Sequence, residues 1–327
     1  MKEVELKPIR EKPEYYDLIE KFIRKIFRDK IYEPLIAELG KDKLKLSNSK
    51  SDLETAIRSG KIYFSNGRFQ GKFSAQTTKE LREIGAVWDR GTSTFKIGLN
   101  DLPMDIQVLV RASESRFNQT LLAMDKKLAA VNISLLADKL KMIELFDRSL
   151  FQMETDFKKS VKNIIVAPEM SEETREYIAS DWADNMDKYI QKFTEEQIKE
   201  LRTKILDNVM KGNRPEQVVK LIQKSYNVSL RKAKFLARQE TSLMLASYKE
   251  ARYTAAGSDE YIWKCVHMPK DTSPNEHVKG NVRFYHAQLN NTRQKWSEPP
   301  VTTKDGKRNH PGQDYNCRCY AVPIVKF

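Results

Sequence analysis

Residues 309–320 read NHPGQDYNCRCY, and this stretch holds two of the three cysteines and one of the four histidines of the chain. All seven cysteines and histidines of the 327-residue sequence lie between Cys265 and Cys319. Small loop-rich segments that cannot build a core are often held together by a metal, and reduced Cys and His ligands select zinc first. The C-terminal end of the chain is therefore the first place to look for a constrained site.

A tetrahedral metal site needs four ligands. Cys317 and Cys319, two residues apart on an extended strand, point to the same side and can occupy two corners, while His286 and His310 can supply the other two. Metal binding would then contribute to the folding free energy of this segment. The alternative is simple packing, with Cys265 in the strand YIWKCV and His277 in a solvated loop.

Charge is concentrated in the same region. The net charge is +13, and residues 227–327 hold 17 Lys and Arg against 9 Asp and Glu. A basic excess favours polyanions such as DNA, and it is equally compatible with a solvated basic surface. No apolar run approaches the roughly 18 residues of a membrane span, and the first residues are too charged for a signal peptide. We therefore expect a product that stays in the cytoplasm, with its odd number of cysteines reduced.

Hydrophobic periodicity predicts an α+β protein that is predominantly helical. Residues 1–59 form an N-terminal helical arm, and residues 60–102 form a small ββαββ domain with a hairpin at Asn66-Gly67. A capping box at Thr77 and Glu80 begins its helix, and Gly85 ends it. Residues 103–209 form a long-helix region, either one helix or two with a break near Asn132. Residues 210–327 form a loop-rich C-terminal module, whose two helices are separated near Asn227 and followed by short strands.

Catalytic motifs give little support to an enzyme. The sequence has no glycine-rich phosphate loop, no G-x-S-x-G and no H-E-x-x-H. An H-N-H-type nuclease can be assembled from His286, Asn290 or Asn291, and His310, although the spacing is too short for the usual version. The sequence predicts a protein that is not an enzyme, with a metal-dependent nuclease or toxin-like enzyme, or a non-specific DNA-binding protein, as alternatives.

Four short motifs in the last hundred residues occur in a recognisable order. They are ARQET in a helix, a tryptophan strand, R-x-x-H-x-x-L, and a terminal NCRC followed by a strand. This succession resembles the C-terminal module of phage minor head proteins, the head morphogenesis family typified by the F protein of phage Mu. The matching positions are Arg238, Glu240, Thr241, Trp263, Arg283, His286, Leu289, and Asn316 to Cys319. The family's usual glycine after the leucine is Asn290 or Asn291 here, and Gln239 stands where threonine is common.

The resemblance implies a structural protein of a tailed bacteriophage. It would be made in the host cytoplasm, bind the portal protein at the portal vertex, and reside in the virion head, where it assists head assembly and DNA packaging or ejection. Scaffold protein, major capsid protein and packaged double-stranded DNA are further expected partners. The resemblance favours one structural zinc at His286, Cys317 and Cys319, with His310 as fourth ligand and Cys265 or His277 as substitutes. Arg283, Lys307, Arg308 and Arg318 are the expected DNA contacts.

Overall fold

The computed structural model describes residues 2–40, 51–166, 168–211, 215–266 and 282–326. It shows a predominantly helical α+β protein with two small antiparallel sheets, which confirms the predicted fold class. The helices and strands are β1 (Glu3–Glu5), α1 (Asp17–Phe27), α2 (Glu33–Gly40), α3 (Asp52–Arg58), β2 (Ile62–Ser65), β3 (Arg68–Gly71), α4 (Ala75–Glu83), β4 (Val87–Asp89), β5 (Thr94–Lys96), α5 (Met104–Ala129), α6 (Lys139–Val161), α7 (Glu172–Lys211), α8 (Pro215–Ala255), β6 (Glu260–Lys264), α9 (Phe284–Leu289), β7 (Arg293–Lys295) and β8 (Tyr320–Lys326).

One compact unit comprises Lys25–Leu136 and Lys192–Leu230. Its sheet has the strand order β2-β3-β5-β4 and contains the predicted ββαββ arrangement. Asn66 and Gly67 have φ angles of 51° and 70°, the left-handed conformation that a two-residue hairpin requires. The unit's apolar core is formed by residues of α3, α4, α5 and the sheet, including the fully buried Phe69. The φ angles of Asn66 and Gly67 and the pairing of β2 with β3 confirm the predicted hairpin.

Helix α4 begins one turn earlier than its predicted capping box. The Ser74 hydroxyl accepts a hydrogen bond from the Thr77 amide at 3.0 Å, so Ser74 is the N-cap. Glu80 instead accepts the backbone amide of Leu53 at 2.8 Å and thereby caps the start of α3. The predicted Thr77–Glu80 box is wrong because a tertiary contact uses the glutamate. The predicted stop at Gly85 is confirmed, since this residue has a φ angle of 88°.

The long helices follow the sequence pattern with one exception. The central region is divided into α5 and α6 around Asn132, as the two-helix alternative predicted. In contrast, α8 continues through Asn227, so the predicted break there is wrong. One asparagine costs a helix only a few tenths of a kcal/mol. Packing outweighs that cost, since the nearby Ser229 is fully buried and lies 2.7 Å from the Tyr32 hydroxyl.

The other compact unit comprises Met1–Arg24, Ala137–Gln191 and Arg231–Phe327. Its sheet has the order β1-β8-β6-β7 and contains the predicted strands at YIWKCV and CYAVPIV. Strand β1 pairs with β8, with Val4 opposite Val325. Sequence reasoning missed this strand because its three residues carry little local signal. The four sequence ranges named as domains stay a prediction, and each compact unit takes segments from several of them.

Polar groups as well as apolar ones fill this second unit. Trp263 in β6 is fully buried, and the guanidinium of Arg252 lies 4.4 Å from the ring centroid of Phe157. Glu154 accepts hydrogen bonds from the Tyr248 hydroxyl and from Arg252, both at 2.5 Å. Paired in this way, the buried Arg252 and the partly buried Glu154 fix the packing of α6 against α8. That framework supports the segments that carry the candidate site.

Candidate metal centre

Three segments of the second unit bring the chain's cysteines together. Cys265 directly follows β6, His286 lies in α9, and Cys317 and Cys319 precede β8. The loop before β8 can turn here because Asn316 adopts a left-handed φ of 52°, a conformation that asparagine tolerates well. The asparagine of the NCRC motif therefore serves the turn that presents both thiols.

The ligand atoms of His286, Cys317 and Cys319 all lie within 4.8 Å of one another. The sulfur atoms of Cys317 and Cys319 are each 3.5 Å from Nδ1 of His286. Cys265 is outside this tight group, but its sulfur lies 3.5 Å from the sulfur of Cys319. All four residues are fully or partly buried, so the structure assembles three thiols and one imidazole that could hold a metal ion.

The other nitrogen of His286 is also fixed. Nε2 lies 2.9 Å from Oδ2 of Asp314, and the second carboxylate oxygen accepts the side-chain amide of Asn309 at 2.9 Å. Both His286 and Asp314 are buried. A carboxylate that accepts the far N–H of a histidine directs the near nitrogen, here Nδ1, towards the thiols. Sequence reasoning missed Asp314, although this residue lies within NHPGQDYNCRCY, residues 309–320.

Electrostatics favour an ionised thiol at Cys317 but not at Cys319. The hydrogen bond from Cys319 and the neighbouring imidazole together lower the pKa of Cys317 to about 4, despite its burial. Burial acts to lower the pKa of His286, but Asp314 and Cys317 outweigh it and raise that pKa to about 9. The pKa of Cys319 is raised because the neighbouring sulfurs compete for the negative charge. Metal ligation requires thiolates and a neutral imidazole. A bound dication would therefore stabilise the negative charge for which the neighbouring sulfurs compete.

His310 does not join the group. Its Nδ1 lies 3.0 Å from the Tyr261 hydroxyl, and its ring packs against Tyr261 and Trp296, with centroid distances of 5.6 and 5.3 Å. Burial lowers its pKa. The structure thus places this histidine inside an aromatic cluster, and it places Cys265 beside the candidate metal ligands instead. His277, the other proposed substitute, lies outside the described residues.

The remaining motif residues hold the site in place. Arg238 pairs with Glu11, and Gln239 accepts the backbone amide of Asn316 at 2.5 Å. Glu240 and Thr241 are buried in α8. The ARQET segment therefore anchors the loop that carries NCRC, and the glutamine that departs from the family pattern makes the direct contact.

The R-x-x-H-x-x-L element has a similar role. Arg283 donates to the backbone oxygen of Tyr315, and Leu289 closes the turn after α9 by accepting the amide of Thr292 at 3.0 Å. Asn291 in that turn has a φ of 66°, which explains why asparagine can replace the family's glycine at this position. Lys307 and Arg308 lie apart from these contacts, on a bridged segment where Val301 pairs with Arg308.

This arrangement is a small module centred on His286 and the three cysteines. Residues 199–322 match the family described as Phage Mu protein F like protein, which confirms the resemblance over the C-terminal module. The matched range includes ARQET, Trp263, His286, Asp314 and NCRC.

One relative is an "Uncharacterized protein" of Haemophilus influenzae. It is 26% identical over 136 residues, a match that covers 39% of this chain and 27% of the relative. The chain thus spans about a quarter of that relative's length, and the relative's name carries no function. No solved structure matches the chain. In the part of the chain that the structure describes, no helix is long and apolar enough to cross a membrane.

Proposed function

We propose that the protein is a minor head protein of a tailed bacteriophage, bound to the portal protein and assisting head morphogenesis and DNA packaging or ejection. The observation that carries this proposal is the family match over residues 199–322. The structure supports it, because Gln239, Arg283 and His286 within that range all contact the loop that carries NCRC. Scaffold protein, major capsid protein and packaged double-stranded DNA are the other partners we propose, with the virion head as the location.

The same module is proposed to hold one structural zinc ion. Tetrahedral zinc, with Zn–S and Zn–N bonds of roughly 2.3 and 2.05 Å, separates sulfur from nitrogen by roughly 3.6 Å and two sulfurs by roughly 3.8 Å. The observed S···N separations are 3.5 Å, and Cys265 and Cys319 are also 3.5 Å apart. The separations among His286, Cys317 and Cys319 fit a shared ion, whereas Cys265 lies outside their 4.8 Å group and approaches it through Cys319. We assign His286, Cys317 and Cys319 as ligands, with Cys265 as the fourth.

The chemistry of the donor set points to a structural role. Three thiolates and one imidazole fill a tetrahedral zinc site and leave no position for a substrate. Among the described residues that line the adjoining cavity there is no Asp or Glu that could act as a general base. Asp314 is instead committed to orienting His286. A zinc ion bound there would staple three segments: the end of β6, helix α9 and the loop before β8.

The metal content tests the zinc assignment and also distinguishes Cys265 from His310 as the fourth ligand. Protein purified without a histidine tag or chelator should contain about one zinc per chain by mass spectrometry. Cys317→Ser/Cys319→Ser and Cys265→Ser should lose it, whereas His310→Gln should retain it. Zinc lost from a folded His310→Gln variant but kept by Cys265→Ser would return His310 to the ligand set. No zinc in folded wild-type protein would contradict the assignment.

Co-expression with the cognate portal protein tests the head role. The two proteins should co-purify at about physiological ionic strength, and the Haemophilus relative's matching fragment provides a control for specificity. Failure to associate would contradict portal binding. Metal-dependent DNA cleavage that disappears in His286→Ala would instead favour the nuclease alternative.

A further inference from the structure

Two cavities of the second unit share one wall. A cavity of about 400 Å³ is lined by Arg283, Arg318, Tyr315 and the metal-binding residues. A second, of about 240 Å³, is lined by residues of α8, including Arg231, Lys234 and Arg238. Asn316 and Cys317 belong to both linings, so the NCRC loop separates the two cavities.

The charges around these cavities are almost all positive. Arg231, Lys234, Arg283 and Arg318 are exposed, while the Arg238 charge is compensated by Glu11. Glu11 is the one carboxylate among the described residues that line either cavity. Arg231, Lys234, Arg283 and Arg318 form no salt bridge with another described residue, although the buried Asp314 partly offsets Arg283. Four such cations on both sides of one loop make a locally strong positive potential.

An exposed aromatic ring lies at the centre of this surface. Tyr315 is 64% exposed, and its ring packs against Phe235 of α8 at a centroid distance of 4.9 Å. Arg283 fixes the backbone of the same residue by donating to its carbonyl oxygen. A rigidly held, accessible tyrosine between arginines is suited to sugar or base contacts, in addition to the phosphate contacts of the cations.

We propose that the two cavities form one binding surface for the phosphodiester backbone of DNA, without sequence preference. The planar guanidinium of an arginine can donate two parallel hydrogen bonds to the oxygens of one phosphate. The exposed ring of Tyr315 adds a stacking contact, which favours nucleic acid over an acidic protein as the partner. The proposal rests on the proposed head role for its DNA partner and deepens it, because it assigns that contact to the cations around the NCRC loop and not to the metal ligands. Loss of DNA binding with portal association retained would contradict this surface and leave the head role standing.

The surface differs from the one expected from sequence. Arg283 and Arg318 are shared by both, but the α8 residues Arg231 and Lys234 were not anticipated. Arg308 donates to the carbonyl oxygen of Pro299 and lies 3.6 Å from Glu298, and neither Lys307 nor Arg308 lines the described cavities. A contact between DNA and these two residues stays a separate prediction.

Fluorescence anisotropy of the full-length protein with a labelled duplex, measured over a series of salt concentrations, tests the surface. Arg283→Gln/Arg318→Gln and Arg231→Gln/Lys234→Gln should each weaken binding, and each should reduce the slope of log K against log salt by about 2. Lys295→Gln/Lys304→Gln, which removes the same charge from exposed positions of the same unit, should leave the slope unchanged.

Equal slopes for the two cavity pairs and the control pair would overturn the proposal, as would wild-type binding that does not depend on salt. Zinc content is measured on the same preparations, so a loss of affinity with zinc retained assigns the effect to the cations. A labelled single strand forms the second arm. Tyr315→Ala should weaken single-strand binding more than duplex binding, because an unpaired base can stack on the ring.

Discussion

Glu240 offers the sharpest quantitative test of how the C-terminal unit is stabilised. The residue lies in α8 with a relative exposure of 2%. Burial raises the pKa of its carboxyl group to about 7, and the negative charge of Asp181 adds to this effect. The perturbation we consider is Glu240→Gln, which keeps the shape of the side chain and removes its ability to ionise.

The magnitude follows from the two pKa values. Glu240 has an ordinary pKa of 4.5 and a pKa of about 7 in the folded chain. Since one pKa unit corresponds to about 1.4 kcal/mol, ionised Glu240 costs the folded state about 3 kcal/mol at high pH. The folded-state pKa is the higher one, so stability is full below about pH 4.5 and is lost as the pH rises through about 7.

Urea unfolding at about pH 4.5 and about pH 8, followed by tryptophan fluorescence, measures this effect. Three of the chain's four tryptophans, Trp182, Trp263 and Trp296, belong to the same unit as Glu240. Glu240→Gln should match the wild type at the lower pH and exceed it by about 3 kcal/mol at the higher pH. The exposed Glu298→Gln serves as control. A difference in unfolding free energy between wild type and Glu240→Gln that is the same at both pH values would contradict the raised pKa of Glu240.

Three further predictions concern the site and the other unit. Asp314→Asn replaces one acceptor by a donor and should weaken zinc binding about 10- to 100-fold in a chelator competition, and unchanged affinity would show that His286 needs no such partner. Arg68→Gln removes the hydrogen bond that lowers the pKa of Asp89 to about 2, so carboxyl NMR should find that pKa nearer 3.8. A value still near 2 would assign the shift to other neighbours. Phe69→Ala should destabilise the Lys25–Leu136 unit by about 3–5 kcal/mol in denaturant unfolding, and a cost below about 1 kcal/mol would contradict its place in the core.

Local chemistry explains which elements could be predicted. Asn66-Gly67 specifies a hairpin because both residues tolerate positive φ, and Gly85 ends α4 for the same reason. The periodicity of residues 104–161 predicts helix, but it left open one helix or two, and the structure shows the division near Asn132. Such elements depend on neighbours within a few residues, which a sequence displays directly.

The predictions from sequence were wrong where a contact between residues far apart in the chain determined the local structure. Glu80 matches a capping box, but it caps α3 from a neighbouring helix. Asn227 lowers helix propensity only slightly, and packing around Ser229 keeps α8 continuous. Strand β1 exists because β8 offers it an edge more than three hundred residues away. None of these contacts is encoded within the window that a local pattern covers.

At the site, the amino-acid sequence alone shows which residues are available: the few cysteines and histidines are concentrated in one segment, and Asn316 permits the turn that presents Cys317 and Cys319. Which of these residues come into contact depends on the tertiary fold. It placed Cys265 beside Cys319, gave His286 its partner Asp314, and enclosed His310 among aromatic rings. It also brought arginines of α8 and of the NCRC loop to one surface. The physical reason is that backbone preferences belong to single residues, whereas neighbours in space result from the packing of the whole unit.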